Sequence, residues 1–171
     1  MKKIGLIVAY DQQGTIGTGT NLPNWRLKDD MDHFVETTIG NAVIMGRKNW
    51  ESIPPKFRPL RNRTNIVMTR NSQWHDDGCI TSTSLWDALV QAEQTPGNVI
   101  FIIGGAEIYK LALEKLVIDE IYLTKVDGTF EGTVKFPTYD LRINNYRLER
   151  SKDFKKNERN SHDFTILKYV K

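Results

Sequence analysis

Val99-Ile100-Phe101-Ile102-Ile103-Gly104-Gly105-Ala106-Glu107-Ile108-Tyr109 runs from five consecutive apolar residues, through two glycines, into a helical pattern. An apolar run with no polar alternation predicts a strand over Val99–Ile103 that is covered on both faces. Ile108, Leu111 and Ala112 then recur at helical spacing and predict a helix over Ala106–Lys115. Such a strand–turn–helix unit returns to its own sheet by a right-handed crossover, which makes neighbouring strands parallel.

Outward from this stretch the same alternation repeats. Strands are predicted over Lys3–Ala9, Ala42–Met45, Asn65–Thr69 and Glu120–Lys125. A helix over Leu27–Thr37 puts Leu27, Met31, Phe34 and Val35 on one apolar stripe centred near Met31. A second, over Ser84–Glu93, opens with the capping arrangement Ser84-x-x-Asp87. A short helix after Met45 is stopped by Pro54-Pro55. The last two strands, Tyr146–Ser151 and Asp163–Tyr169, have no helix between them, so they form an antiparallel hairpin. The reading is an α/β sandwich with a mostly parallel central sheet flanked by helices and a C-terminal antiparallel hairpin. With no repeat or linker, residues 1–171 read as one domain.

Composition excludes several classes. At 39% hydrophobic and 26% charged residues the chain is neither disordered nor fibrous. No apolar run is long enough to span a bilayer, and the N-terminal Met-Lys-Lys-Ile-Gly-Leu-Ile lacks a cleavage site and reads as a strand. Cys79 is the only cysteine, which excludes an internal disulfide and points to the cytoplasm. His33, His75 and His162 are scattered, read as surface or satisfied histidines, and no metal is expected. The formal charge of +3 comes without a long basic run, and Lys152, Lys155, Lys156 and Arg159 read as a solvated loop.

Three places carry chemistry. On the first helix Asp30 lies about 40° from Phe34, at the flank of the apolar stripe, whereas Asp29 and Asp32 point away toward solvent. An acid beside apolar surface needs a partner, and a ligand edge with paired N–H groups is one; the plain alternative is an early-turn acid favouring the helix dipole. Gly14 to Trp25 combines glycines, Pro23 and Trp25 in a loop composed like a lid over a ligand. Met45-Gly-Arg-Lys-Asn-Trp-Glu-Ser52 and Ile102-Ile-Gly-Gly-Ala-Glu-Ile-Tyr109 are both strand-to-helix junctions with anion-binding character. The first brings Arg47 and Lys48, the second the flexible pair Gly104-Gly105; the Gly-x-Gly-x-x-Gly fingerprint is absent. Alone, these residues reach an α/β protein that binds an anionic, nucleotide-like ligand beside a buried acid, and no particular reaction.

In order and spacing, these stretches resemble the dihydrofolate reductase family. The match runs through Ile7-Val-Ala9, Ile16-Gly17, Leu22-Pro23 with Trp25, Asp30 with Phe34, and Met45-Gly-Arg-Lys-x-Trp-Glu-Ser52. It continues through Pro59-Leu60, Arg63-Thr-Asn65, Ile103-Gly-Gly-Ala-Glu-Ile-Tyr109, Tyr122-Leu-Thr124, and Glu131-Gly132 leading to Phe136-Pro137. The resemblance implies NADPH as cofactor and dihydrofolate as substrate. It implies that Asp30 grips the pterin, with Thr124 as its hydrogen-bonded companion and Trp25 holding an ordered water. It implies a folate slot walled by Ile7, Ala9, Met31, Phe34, Ile53 and Leu60, with Arg63 on the tail carboxylate. For the cofactor it implies Ala9, Ile16, Gly17, Gly46, Arg47, Lys48, Asn49, Thr69, Gly104, Gly105, Ala106, Ile108 and Tyr109. A monomer acting on a small molecule, with no membrane or nucleic-acid partner, is the expectation.

Two residues depart from the family pattern. Asn24 is inserted between Pro23 and Trp25, lengthening the lid, and Thr133 stands where bacterial members commonly carry a lid-latching aspartate. Two rivals stay open on residues alone: a related-fold reductase of a pyrimidine or riboflavin precursor, and a non-catalytic nucleotide- or nucleic-acid-binding module.

Overall fold

In the computed structural model residues 1–18 and 23–171 are described. The chain alternates as expected: β1 (Lys3–Tyr10), β2 (Thr15–Gly17), α1 (Lys28–Thr38), β3 (Ala42–Gly46), α2 (Arg47–Ser52), β4 (Thr64–Met68), β5 (Ile80–Ser82) and α3 (Leu85–Glu93). Then come β6 (Val99–Ile102), α4 (Ala106–Lys115), β7 (Glu120–Val126), β8 (Val134–Lys135), β9 (Arg147–Phe154) and β10 (Phe164–Val170). The main sheet has eight strands in the order β5-β4-β3-β6-β1-β7-β10-β9. Pairings from β5 to β7 are parallel; β10 is antiparallel to both β7 and β9.

The continuous apolar runs are explained by the sheet's two faces. Side chains alternate along a strand, so Leu6 and Val8 of β1 join one cluster with Ile44, Ile100 and Ile102, covered by Leu85, Ala88 and Ala92 of α3 and Tyr109 and Ala112 of α4. Ile7 points the other way into a second cluster with Val43, Met45, Val67, Phe101 and Trp50 of α2, against which Phe34 of α1 packs. Burial on both faces explains why these central strands are apolar nearly throughout.

The capping reading of α3 holds: Ser84 Oγ accepts from the Asp87 N–H at 3.1 Å. The apolar stripe of α1 is rotated from its expected centre. Met31 is 55% exposed, while Leu27 and Thr38 are buried and Phe34 packs inward, so the buried face is centred nearer Phe34 and takes in Asp30. Asp29 points away from the apolar face as expected and is partly exposed, and Arg159 and Asn160 hold it there. Arg159 lies in an exposed loop, as expected, but its guanidinium is engaged with Asp29 and Asp32. His33 is half-buried, with its Nδ1 3.4 Å from Thr37 Oγ1, while its buried Nε2 has no hydrogen-bond partner among the described residues. No helix among the described residues is long and apolar enough to cross a membrane.

Candidate active site

Because β1, β3, β4, β6 and β7 are parallel, their carboxyl ends open on one edge, where ligands of such sheets gather. Ala9 pairs in register with Thr124 across β1 and β7. Thr124 is buried and its Oγ1 donates to Asp30 Oδ1 at 2.6 Å, so the end of the sheet and the start of α1 meet at this bond. Burial pushes the Asp30 carboxyl up to about 6, and the Thr124 hydrogen bond only partly opposes that rise. One residue earlier the balance is opposite. Hydrogen bonds from Asn160 and then Arg159 hold Asp29 below its usual range, and Lys28 does the same for Asp32. Of the three acids on this turn, Asp30 alone is poised to exchange a proton near neutrality.

Apolar walls adjoin it. Ile7, Phe34, Ile53 and Leu60 all belong to or pack against the second cluster. Ala9 lies at the carboxyl end of β1, and Met31 stands exposed on α1. Trp25 makes an edge contact with Phe130, ring centroids 5.0 Å apart, and packs with Leu27, Val126 and Phe164. Arg63 is half-buried with its guanidinium 5.7 Å from the Phe34 ring centre. Its Nε donates to the Arg61 carbonyl and its Nη1 to Thr38 Oγ1, and these bonds hold the fork in one orientation.

The two glycine-bearing junctions are brought side by side. Gly46 N–H donates to Gly104 O at 2.8 Å, and Asn49 Nδ2 donates to Ile103 O at 3.1 Å. The space is shaped for bare backbone: a Cβ on Gly46 would stand 3.1 Å from Ile108 Cγ1. Gly104 has φ +109°, and a Cβ there would meet the Tyr109 ring at 3.0 Å, whereas one on Gly105 would meet nothing within 4 Å. Tyr109 is itself fixed by donating to Ile7 O at 2.7 Å. α2 and α4 begin here at Arg47 and Ala106, both without side-chain caps, with Lys48 beside them. Thr69 follows β4, and Arg70 reaches to 3.9 Å from Glu107 of α4.

The described ends of the segment expected as a lid are both anchored. Asp11 Oδ1 accepts from the N–H of Gln13 and of Thr15, and Oδ2 from that of Phe130, each at 2.8 Å. Burial alone would raise this carboxyl, but those backbone hydrogen bonds outweigh it and keep it low. Ile16 and Gly17 lie in β2, which pairs with β8, a contact the loop reading did not foresee. At the far end Arg26 and Ser161 exchange two hydrogen bonds. The middle of the expected lid, including Leu22 of Leu22-Pro23, lies outside the described residues. Asp11 carried a local signal, Asp11-Gln-Gln-Gly14 being an Asx-turn sequence. Arg159 and Asn160 carried none, since their partners are about 130 residues away.

A family model described as dihydrofolate reductase matches residues 3–171. The dihydrofolate reductase of Bacillus subtilis is 38% identical over 98% of this chain and 94% of its own. That of Staphylococcus aureus is 32% identical over 98% of each chain. Among solved structures, dihydrofolate reductase from Enterococcus faecalis complexed with NADP(H) and RAB-propyl superposes with a TM-score of 0.87 at 32% identity, covering 98% of this chain and 95% of that one.

Proposed function

The chain belongs to the dihydrofolate reductase family and reduces 7,8-dihydrofolate to 5,6,7,8-tetrahydrofolate with NADPH, and we propose that Asp30 is the acid on which this reaction turns. When bound, NADPH supplies the hydride; a proton from the medium completes the balance. The proton has to reach the pterin ring nitrogen beside the carbon that is reduced. Asp30 is the carboxyl group among apolar walls that accepts from Thr124, and that pairing carries the reading. Its ionised form would grip the pterin's amino group and ring nitrogen and favour the protonated substrate, with water near Trp25 relaying the proton.

Ile7, Ala9, Met31, Phe34, Ile53 and Leu60 would wall the folate slot. The exposure of Met31 suits a residue that substrate, rather than the protein core, covers. Arg63 would meet the tail carboxylate with the rest of its fork. Gly46, Gly104 and Gly105 give room for close backbone approach by a dinucleotide. Arg47, Lys48, Asn49 and Thr69 would surround its extra phosphate, with Ala106, Ile108 and Tyr109 lining the α4 side. Ala9, Ile16 and Gly17 would border the nicotinamide. We read the protein as a cytoplasmic monomer, folded as one domain, with small-molecule ligands and no nucleic-acid partner.

The test is kcat/KM against pH, followed at 340 nm, for wild type and Asp30→Asn. The variant is expected to lose on the order of 10²–10⁴ in rate at neutral pH. It should recover toward acid, where solvent protonates more of the substrate beforehand. A near-normal rate at pH 7 would remove Asp30 from the reaction.

A further inference from the structure

The helix that carries Asp30 is capped from the far end of the chain. Leu27 stands at the cap position and offers no side-chain oxygen, so the first N–H groups of α1 need acceptors from elsewhere. The turn between β9 and β10 supplies two. The Arg159 carbonyl accepts from Lys28 N–H at 3.0 Å, and Asn160 Oδ1 accepts from Asp29 N–H at 3.2 Å. Asn160 Nδ2 then donates to Asp29 Oδ2 at 2.8 Å, making the pairing reciprocal. Asn160 is 1% exposed, and its backbone bridges Leu27.

The guanidinium of Arg159 adds two contacts on the outer side of the same turn, to Asp29 Oδ1 at 2.8 Å and Asp32 Oδ2 at 2.7 Å. The turn is braced internally as well, since Asn157 Oδ1 accepts from the N–H groups of Arg159 and Asn160. Rolling or sliding the start of α1 would break several of these bonds together. About 100° round the helix from Asp29, the Asp30–Thr124 bond is a contact that such a movement would open.

We propose that Asn160, supported by Arg159, is a positioning residue for Asp30: the 157–160 turn sets the depth and rotation at which α1 presents that carboxyl group to Thr124. This rests on the reading of Asp30 as the working acid. The charged and titratable groups around it on α1 are Lys28, Asp29, Asp32 and His33, with Arg159 from the turn; β7 brings Thr124 and, against His33, Tyr122.

Two readouts separate positioning from bulk stability: the ¹³C-carboxyl titration of Asp30 in the ligand-free protein, and the pH profile of kcat/KM. Asn160→Ala is expected to lower kcat/KM about 3–10-fold. It should also move the Asp30 titration down by at least half a pH unit, because a loosened helix start lets water reach the carboxyl group. Asn160→Asp should also lower kcat/KM, by setting a second carboxylate against Asp29, while its added negative charge opposes the downward shift of the titration. The pair Asp29→Asn with Asn160→Asp restores donor to acceptor and should return both readouts toward wild type.

If Asn160→Ala does not fold, Arg159→Ala removes an exposed side chain and should shift both readouts in the same direction by less. A variant that is less stable yet has unchanged titration and profile overturns the proposal. Failure of the underlying reading would look different, as a near-normal rate in Asp30→Asn itself.

Discussion

Asp29 and Asp30 differ by one peptide bond and by opposite surroundings. The sequence placed Asp30 correctly because helical phase alone turns it toward Phe34 and turns Asp29 away; it could not show the partners of Asp29, which come from the other end of the chain. The raised Asp30 group has a consequence for stability with a definite sign. Its folded value, about 6, lies above the ordinary 3.8, so protonation favours the folded state. That contribution is complete below about pH 4 and is lost as pH rises through 6. Asn cannot ionise and still accepts from Thr124. Asp30→Asn should therefore be more stable than wild type at pH 7.5, by up to about 3 kcal/mol, with the gap closing near pH 4. Urea midpoints at the two pH values check this; a gap independent of pH would mean that the group does not titrate there. Arg63 offers a second residue-level test. Two of its donors are tied to Arg61 and Thr38, leaving part of a planar fork that Lys cannot copy. Arg63→Lys should weaken dihydrofolate at least tenfold while a pterin without the tail binds as before, measured by fluorescence titration.

Among the elements, those with a strong period were legible and those without were not. The long strands fell within a few residues of their expected ends, most closely β1, β3 and β6, which are covered and apolar nearly throughout. β2, β5 and β8 are only three, three and two residues long, too short for any alternation to show. Yet β2 and β8 pair at the start of the segment expected as a lid, beside Thr133, which stands in place of the expected aspartate. Lys135 Nζ donates to Thr15 Oγ1 at 2.5 Å, which ties the two strands through side chains. Gly132 is the tight point, since a Cβ there would lie 2.3 Å from the Gly17 carbonyl oxygen, a backbone atom that a side-chain shift cannot relieve. Gly132→Ala should separate β2 from β8. The amides of Thr15 and Gly17 should then exchange faster, with little change in the protection of β1 or β6, and kcat/KM should fall. Unchanged exchange at Thr15 and Gly17 would mean that the pairing does not depend on that approach. In wild type, hydrogen exchange over Gly14 to Trp25 should slow when NADPH binds, as a closing lid requires.

At the scale of the whole molecule, the parallel sheet gathers residues far apart in sequence onto one edge, and this much could be read from strand–helix alternation. The return of the C-terminal turn onto α1 could not, because its bonds depend on where an antiparallel hairpin ends and no local pattern encodes that. If the proposed cofactor residues bind there, cofactor choice is a property of the assembled fold. Arg47 and Lys48 start α2, and Thr69 and Arg70 follow the end of β4, two elements that share one core cluster through Trp50 and Val67. A ligand held by all of them stabilises the folded state by RT ln(1 + [L]/Kd), so affinity is readable as a rise in Tm. The extra phosphate of NADPH would meet charge-assisted contacts of roughly 1.5–3 kcal/mol each that NADH cannot make. At equal concentration NADPH should therefore raise Tm by several degrees more than NADH. The difference should shrink in Arg47→Ala and at high ionic strength, where exposed charges are screened. Kinetically the same preference should appear as a higher kcat/KM for NADPH. Equal Tm shifts and equal kcat/KM for the two cofactors would place the basic residues of α2 away from the ligand.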